Sequence, residues 1–404
     1  MPGLISRALG VPRPRNADIT TSQELAERMK IGRQTWSGID INPSNALSVS
    51  AVFACVRLIA EDIGKLPFPV YRRTADGRER APESPFWRLL HDRPNGWQSS
   101  QEFREMLTAH ALLRGNGFAL KNTVRGQVRE LIPLRPDRVR IEQTEDFELL
   151  YHVRLNASGP EETMTRREIL HLRGISLDGV SGVGIVTLAR QGIALSMAAE
   201  RHGATFFGNG QHPSGVFKHP SELSDPAFDR LKASLDEQRG EGAGGTLILE
   251  DGMDWTQVGL SNEDSQFLES REFQVEEVAR WFRAPPHKIA HLKRATFNNI
   301  EHLAIEYVTD TLMSWGKRWE NAVNHTVIVT NEVYAELLFD ALLRGDTKSR
   351  YEANRIAVGR PWKTPNEVRR EDNMPELEGL DEVWEPPQAQ GGNDRAEAEA
   401  TNAA

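Results

Sequence analysis

Apolar residues fall at helical spacing from Ala46 onward, where Val52, Val56, Ile59 and Ile63 form one stripe that Gly64 closes. Leu66 to Tyr71 then mixes apolar residues with Pro67 and Pro69, the pattern of an edge-type extended run, because proline cannot donate into a central strand. Asp76-Gly77 predicts a hairpin turn. Ser84-Pro85 opens a short helix ending at Pro94-Asn95, and Ser99 or Ser100 caps a longer one with Phe103, Leu107, Ala111 and Leu112 at helical spacing. Gly115-Asn116-Gly117 stops it. From Phe118 to Leu172 the pattern changes to strands, with turns at Arg125-Gly126, Arg135-Pro136-Asp137 and Ser158-Gly159-Pro160. Residues 46–180 read as one α+β unit.

The second half opens differently. Val183 to Phe207 is apolar nearly all round, with Arg190, Glu200 and Arg201 as its charges. A helix without a polar face must be covered on most sides, and little else in the chain can cover it, which points to neighbouring subunits. Strand-like pieces at Ser214–His219, Gly245–Glu250 and Trp255–Leu260 surround a polar helix capped by Asp225 with Pro226 at its first position. Gly240, Gly242, Gly244 and Gly245 make a flexible joint. A helix opened by Ser261 or Asn262 carries Leu268, Val275, Ala279 and Phe282 and stops at Pro285-Pro286. An irregular stretch over 284–299 follows, then a third helix from about Asn299 to Val323 with Ile300, Leu303, Tyr307, Leu312, Trp315 and Trp319 on one side. Val327 to Val329 reads as a strand. Gly359 ends one closing helix, and Thr364-Pro365-Asn366-Glu367 is a capping box for the last. Residues 1–45 read as an arm, and residues beyond Met374 have little to bury and read as disordered.

Charge sharpens this picture. The 404 residues carry 58 acids and 49 bases, a net −9. Between Met374 and Ala404 eight acids face the single base Arg395, so the rest of the chain is close to neutral. Such a surface does not suit a protein that grips nucleic acid through a broad basic face. The lone Cys55 excludes an internal disulfide and a Cys-based zinc site, and its apolar helical setting reads as a small buried hydrophobe. No run of ~18 apolar residues is present to span a membrane, and residues 1–15 lack the apolar core of a secretion signal. The expectation is a soluble chain made in a reducing compartment.

Candidate chemistry is sparse. Gly179, Gly182 and Gly184 precede a helix, but their G-x-x-G-x-G spacing departs from the dinucleotide fingerprint, and Glu200 lies inside the helix rather than at a second strand's end. Turn glycines explain them better. Gly179-Val180-Ser181-Gly182-Val183 misses the G-x-S-x-G nucleophile elbow at its last position. His287 and His291 stand four apart, a spacing that can chelate on one helix face, yet no glutamate follows His287 and two prolines adjoin; a packed or solvated pair is the plainer reading. His202 and His212 are separated by a glycine break. Glu61 and Asp62 adjoin on the expected solvated side of the first helix, and no carboxylate couple stands out for acid–base work. The stretch 284–299 carries Lys288, Lys293 and Arg294 with no acid. Such cations can meet phosphates sequence-blindly, although by local composition alone the stretch reads as a solvated loop.

The order of these parts resembles the phage portal protein family of long-tailed double-stranded DNA phages and related gene-transfer particles. The resemblance covers roughly residues 46–373. It rests on Ser48-Val49-Ser50-Ala51-Val52-Phe53-Ala54-Cys55-Val56 running to Leu66-Pro67, Leu113-Arg114-Gly115-Asn116-Gly117-Phe118 and Ile169-Leu170-His171-Leu172. Phe206-Phe207-Gly208-Asn209-Gly210 with Pro213-Ser214-Gly215, Phe282-Arg283-Ala284-Pro285-Pro286 and Asn366-Glu367-Val368-Arg369 complete it. No single piece is sharp; their joint order is specific.

The resemblance implies an α+β portal fold closing into a dodecameric ring at one capsid vertex. Its parts would be an N-terminal arm (1–45), a wing (46–180 with the helix of 300–335), stem helices (181–209 and 261–283), a β-rich clip (210–260), a tunnel loop (284–299), a helical crown (336–373) and a disordered acidic tail (374–404). Implied partners are further copies of the chain, double-stranded DNA in the channel, the terminase large subunit, a head–tail adaptor and the major capsid protein, with no membrane. The implied location is the virion, after assembly in the bacterial host cytoplasm. Lys288, Lys293 and Arg294, with His287 as a weaker member, become the expected DNA contacts. No catalytic residue, metal or cofactor is implied. The rival is a capsid-associated metal-dependent hydrolase or nuclease using His287 and His291 with nearby acids.

Overall fold

The computed structural model describes residues 35–75, 77–208, 215–218, 224–226, 228–230, 232, 254–257, 262–291, 303–339, 342, 347–359, 362–371 and 374–383. Asn42 opens the first short helix, α1 (Pro43–Ala46), through a capping box in which its Oδ1 accepts from Ser44 N and Asn45 N, both at 2.9 Å. Helix α2 (Ser50–Lys65) buries the expected stripe of Val52, Val56, Ile59 and Ile63, with Cys55 among them. Burial pushes the Cys55 thiol up to about 12, so it is inert packing. Gly64 does not end the helix. It marks a close approach, since a Cβ there would meet Gln101 O at 3.1 Å. The helix runs on to Lys65 and stops as Leu66 turns extended before Pro67. Asp62, expected on the solvated side beside Glu61, is buried and pairs with Lys65; Glu61 does face solvent, pairing with Arg57 at 2.6 Å.

Strands β1 (Val70–Thr74) and β2 (Gly77–Arg80) form a hairpin whose last pair is Thr74↔Gly77, so the turn lies one residue earlier than Asp76-Gly77 implies; Asp76 itself lies outside the described residues. β1 is also central rather than an edge, since β11 (Val333–Ala335) pairs on its other side. The prolines escape the rule because they precede the ladder and supply acceptors: Pro69 O and Pro67 O receive Glu336 N and Leu338 N at 3.3 and 3.1 Å. Helix α3 (Pro85–Trp87) runs into a π turn at Arg88–Asp92. Helix α4 (Ser100–Arg114) has the Ser99/Glu102 capping box at its start and Gly115 at φ 84° at its end.

Two antiparallel sheets follow, β4-β3-β8 (Gln127–Leu134, Asn116–Val124, Ile169–Arg173) and β5-β6-β7 (Val139–Gln143, Leu149–Val153, Glu162–Thr165). They share a small core of Phe118, Leu134, Tyr151, Val153, Met164 and Ile169. The larger core is built by α2, α4 and the later helices, with Leu107, Leu112, Phe68, Phe282, Leu312 and Trp319 fully or nearly buried. Trp319 Nε1 donates to Thr108 Oγ1 at 2.9 Å, which satisfies the one polar atom of that ring. Arg104, buried between α4 and the end of α2, donates to Gly64 O, Leu66 O and Leu90 O at 2.6, 2.8 and 2.9 Å, closing helix-end carbonyls that would otherwise lack partners.

The single helix expected over 183–207 is two, α5 (Ile185–Leu188) and α6 (Arg190–Gly208), broken at Ala189, whose φ −84° and ψ 3° leave the helical region. β9 (Gly215–Lys218) pairs antiparallel with β10 (Asp254–Gln257). The expected strand Gly245–Glu250, the glycine joint and His212 lie outside the described residues. Helix α7 (Asn262–Phe282) begins at one of its two expected caps. A helical run from residue 303 passes through a π turn at Tyr307–Leu312, then α8 (Met313–Val323), then a second π turn at Asn324–Ile328. That second turn replaces the strand expected at Val327–Val329. Lys121 Nζ donates to Thr326 O at 2.6 Å and stabilises it, and Val329 at φ 49° terminates it. Helices α9 (Thr347–Val358) and α10 (Pro365–Glu371) close the fold, α10 through the expected Thr364/Glu367 capping box.

The expectation of disorder from residue 374 is corrected for 374–383. Asn366, almost fully buried, exchanges hydrogen bonds with the Leu377 backbone at 2.8 and 3.0 Å and donates its own N–H to Leu380 O at 3.1 Å. A short acidic segment with few apolar residues is thus held by an asparagine acting as a backbone mimic, with Arg369 donating to Pro375 O at 2.8 Å and Arg370 pairing with Glu376.

Candidate functional site: the loop after helix α7

The expected site begins where α7 ends. Ala284 N donates to Ala279 O at 2.9 Å and Arg283 N to Arg280 O at 3.2 Å, the paired bonds of a Schellman termination, with Arg283 at φ 53° in the position that usually takes glycine. Pro285 and Pro286 forbid helical continuation, and Pro286–Ile289 forms one 3₁₀ turn. That turn closes the same way: His291 N bonds Pro286 O at 2.9 Å, Ala290 N bonds His287 O at 3.3 Å, and Ala290 sits at φ 65°. Two L-residues, Arg283 and Ala290, therefore occupy left-handed conformations at the ends of the two turns, each costing on the order of 1 kcal/mol.

The loop is fastened to the helical run behind it. Thr311 Oγ1 donates to Arg283 O at 2.8 Å, and the Arg283 guanidinium stands 3.7 Å from Asp310. Lys288 Nζ lies 5.3 Å from the ring centroid of Tyr307, so its ammonium rests on a buried aromatic face while the side chain stays exposed. Burial, with the Asp62 carboxylate nearby, pushes the Tyr307 phenol well above its ordinary range. His287 is half-buried; its Nε2 is enclosed and has no hydrogen-bond partner among the described residues. Burial first and Lys288 second hold its imidazole below the usual value, so it is neutral at pH 7. His291 Nε2 approaches Glu276 at 3.4 Å. Between α7, this turn and Tyr307 lies a cavity of about 520 Å³, to which Glu276, Arg280, Arg283, His287, His291 and Glu306 contribute.

Of the expected contacts, the structure brings His287 and Lys288 together on this turn; Lys293 and Arg294 lie outside the described residues. His287 sits in the 3₁₀ turn and His291 just beyond its end, so the two do not share one face of an α-helix as their spacing allowed. Among the described residues no group of three His, Cys, Asp or Glu is placed to hold a metal ion. Sequence reasoning missed Arg283, Ala290 and Tyr307 as the residues that shape the loop. The helical stripe placed Tyr307 in the core, and nothing in the sequence marks an arginine or an alanine for positive φ.

Comparison with known proteins places these features in context. A family model described as "Phage portal protein" matches residues 50–373. The portal protein of Enterobacteria phage HK97 is 30% identical over 355 residues, covering 84% of this chain and 82% of that protein. The probable portal protein of Streptomyces phage phiC31 is 28% identical over 373 residues, covering 88% of this chain and 81% of its own length. Among solved structures, a chain from the neck of an empty gene-transfer-agent (GTA) particle, computed with C6 symmetry, superimposes with a TM-score of 0.63 at 21% identity, over 89% of this chain and 100% of that one. A chain from the neck of the native GTA particle, computed with C12 symmetry, gives 0.59 at 21% identity over the same shares.

Proposed function

The chain belongs to the phage portal protein family, and from that premise we propose that twelve copies close into a ring at one capsid vertex through which genomic DNA enters and leaves. The observation that carries this reading is the family match over residues 50–373 together with 30% identity to the HK97 portal protein along most of both chains. The twelvefold count draws on the C12 symmetry of the similar GTA neck. Exposed apolar side chains on the long helices, Leu195 on α6 and Phe273 and Trp281 on α7, support lateral packing between copies, because monomeric surfaces rarely leave several large apolar groups in water on adjoining helices.

In this reading residues 46–180 and the helix within 300–335 form a wing, 181–209 and 261–283 a stem, 210–260 a clip, 284–299 a tunnel loop and 336–373 a crown. The clip would meet the terminase large subunit during packaging and a head–tail adaptor afterwards, and the wing would meet the major capsid protein. The ring would reside in the virion after assembly in the host cytoplasm, and the reading assigns it no catalysis and no cofactor.

The mechanism follows from what a conduit needs. Every phosphate contact must break as the duplex advances, so a strongly basic bore would act as a brake. A near-neutral chain with a few cations on a short turn meets that demand. Lys288, resting on Tyr307 and in no ion pair among the described residues, keeps a charge that exchanges between aromatic face and phosphate at a cost of about 1 kcal/mol or less. Lys293 and Arg294 extend the same role. The test is the triple variant Lys288→Ser/Lys293→Ser/Arg294→Ser. Rings should still form, and packaged or retained DNA should fall; loss of the ring itself would sink the assignment of these residues to the channel.

A further inference from the structure

The end of the β4-β3-β8 sheet where β3 turns into β4 departs twice from local preference, each time at an arginine, and a third segment brings two more arginines to it. Arg125 is the first residue of the two-residue turn between the paired Val124 and Gln127 and adopts φ 52°, a position that favours Asn, Asp or Gly. One step earlier the register shifts, from Asn122↔Glu130 to Thr123↔Val128, which leaves Arg129 as the extra residue of a bulge. The turn from β7 to β8 reaches the same end. There Lys121 N donates to Glu168 O at 2.7 Å and Lys121 Nζ to Arg166 O at 3.1 Å, which sets Arg166 and Arg167 beside the last residues of β3.

All four arginines are exposed, and among the described residues none makes an ion pair or a side-chain hydrogen bond. Some exposed arginines of this molecule, Arg57, Arg72, Arg135 and Arg140, each hold a carboxylate, whereas others, such as Arg80 and Arg93, stand singly without one among the described residues; what sets this sheet end apart is that four such arginines come together. The acids at this sheet end, Glu130 and Glu168, are engaged by Asn122 at 2.9 Å and by Thr165 at 2.8 and 3.0 Å instead. The scaffold is firm, because Lys121 also ties the strand to Thr326 O on the neighbouring π turn. Strain at Arg125, a bulge at Arg129 and a braced turn at Arg166-Arg167 thus present four guanidiniums together, outside any ion pair among the described residues and in excess of the two carboxylates beside them.

We propose that this arginine-rich sheet end is a contact surface for the phosphodiester backbone of double-stranded DNA, distinct from the 284–299 loop. The chemistry favours a polyanion. Guanidinium forks match phosphate oxygens two at a time. Neighbouring strands ~4.8 Å apart spread the charges over on the order of 10 Å, a length along which duplex DNA offers several phosphates. The hairpin tip contributes one large apolar side chain, Val124, which falls short of the apolar centre that a protein partner requires. The proposal rests on the portal reading only for the source of the ligand.

The test is fluorescence anisotropy of the full chain with a labelled mixed-sequence duplex across a salt series. The variant Arg125→Asn/Arg129→Ser/Arg166→Ser/Arg167→Ser keeps a residue suited to positive φ in the turn. Its slope of log K against log salt should be shallower by about 3 to 4, with affinity at least about tenfold lower at low salt. The double Arg166→Ser/Arg167→Ser, confined to a turn, should lose about 2 in slope with an unchanged melting curve. Unchanged slopes overturn the proposal. Arginine-dependent binding seen only after removal of residues 384–404 shows that the acidic C-terminal segment occupies the patch and also overturns it. Native mass on the same samples separates this failure from that of the portal reading: rings without arginine-dependent binding refute only this surface, and arginine-dependent binding without rings refutes only the ring.

Discussion

Two connections in this chain solve the same problem in opposite ways. The passage from β8 to α5, residues 174–184, is fixed by side chains and by close backbone approach. Asn116 accepts from Gly182 N at 2.7 Å and donates to Gly182 O at 3.0 Å, while Gly174 N reaches Gly115 O at 2.7 Å. Inside the loop, Asp178 Oδ1 accepts from Val180 N and Ser181 N, and Ser176 Oγ bonds Ser181 O at 2.6 Å. The passage after α7, residues 283–291, relies on backbone turns closed by two L-residues at positive φ, one threonine bond and one aromatic face. One connection is over-determined and the other is poised. In the proposed portal reading, a wing that holds its place and a loop that gives way to moving DNA would call for that difference.

The largest effect should come from the rigid side. A Cβ on Gly182 would collide with the Gly115 carbonyl, so Gly182→Ala should cost about 3 kcal/mol or more and lower the urea midpoint accordingly. A loss under about 1 kcal/mol would mean that this crossing yields, and the contrast between the two loops would fail.

Acid should find the same region next. His171 is buried, lies 2.8 Å from Asn116 Oδ1 through Nε2, and stacks on Phe118 at 4.6 Å. Burial first, then Arg173, hold its pKa well below the usual value. The folded state therefore binds fewer protons than the unfolded state below the unfolded value of ~6.5. Stability from this group is complete above that pH and declines as pH falls through the window beneath it, by up to about 1.4 kcal/mol per pH unit. Denaturant midpoints from pH 7.5 to 5 should fall more steeply for the wild type than for His171→Gln. Parallel curves would remove the histidine from the account.

The poised side should respond with the opposite sign. Glycine at a left-handed position relieves strain, so Arg283→Gly and Ala290→Gly should each be neutral or stabilising by up to about 1 kcal/mol in thermal melts. Clear destabilisation by either would show that the side chain, rather than the backbone turn, holds the loop.

Much of this contrast was legible in the chain, and the illegible part has physical causes. Capping boxes at Ser99 and Thr364, the stop at Gly115 and the proline end of α7 are local chemistry, read from a few adjacent residues. Central β1, the break at Ala189 and the π turn in place of a strand at Val327–Val329 depend on partners far along the chain, such as Lys121 to Thr326. Asp62 looked solvated because charge usually is; the tertiary packing against Tyr307 and Lys65 decided otherwise. At the loop, Pro285-Pro286 marked the irregular stretch on which Lys288 sits, whereas Arg283 and Ala290 carried no sequence mark of their left-handed backbone. The arginine-rich sheet end was equally hidden, since Arg125, Arg129, Arg166 and Arg167 become neighbours only through strand register.

Native mass of the purified chain, by mass photometry with negative-stain imaging of the same sample, tests the central claim most directly. Cyclic closure of twelve 45.4 kDa copies predicts a particle of about 545 kDa with a central hole. A clean monomer or dimer that neither salt nor capsid protein converts into rings would contradict the account.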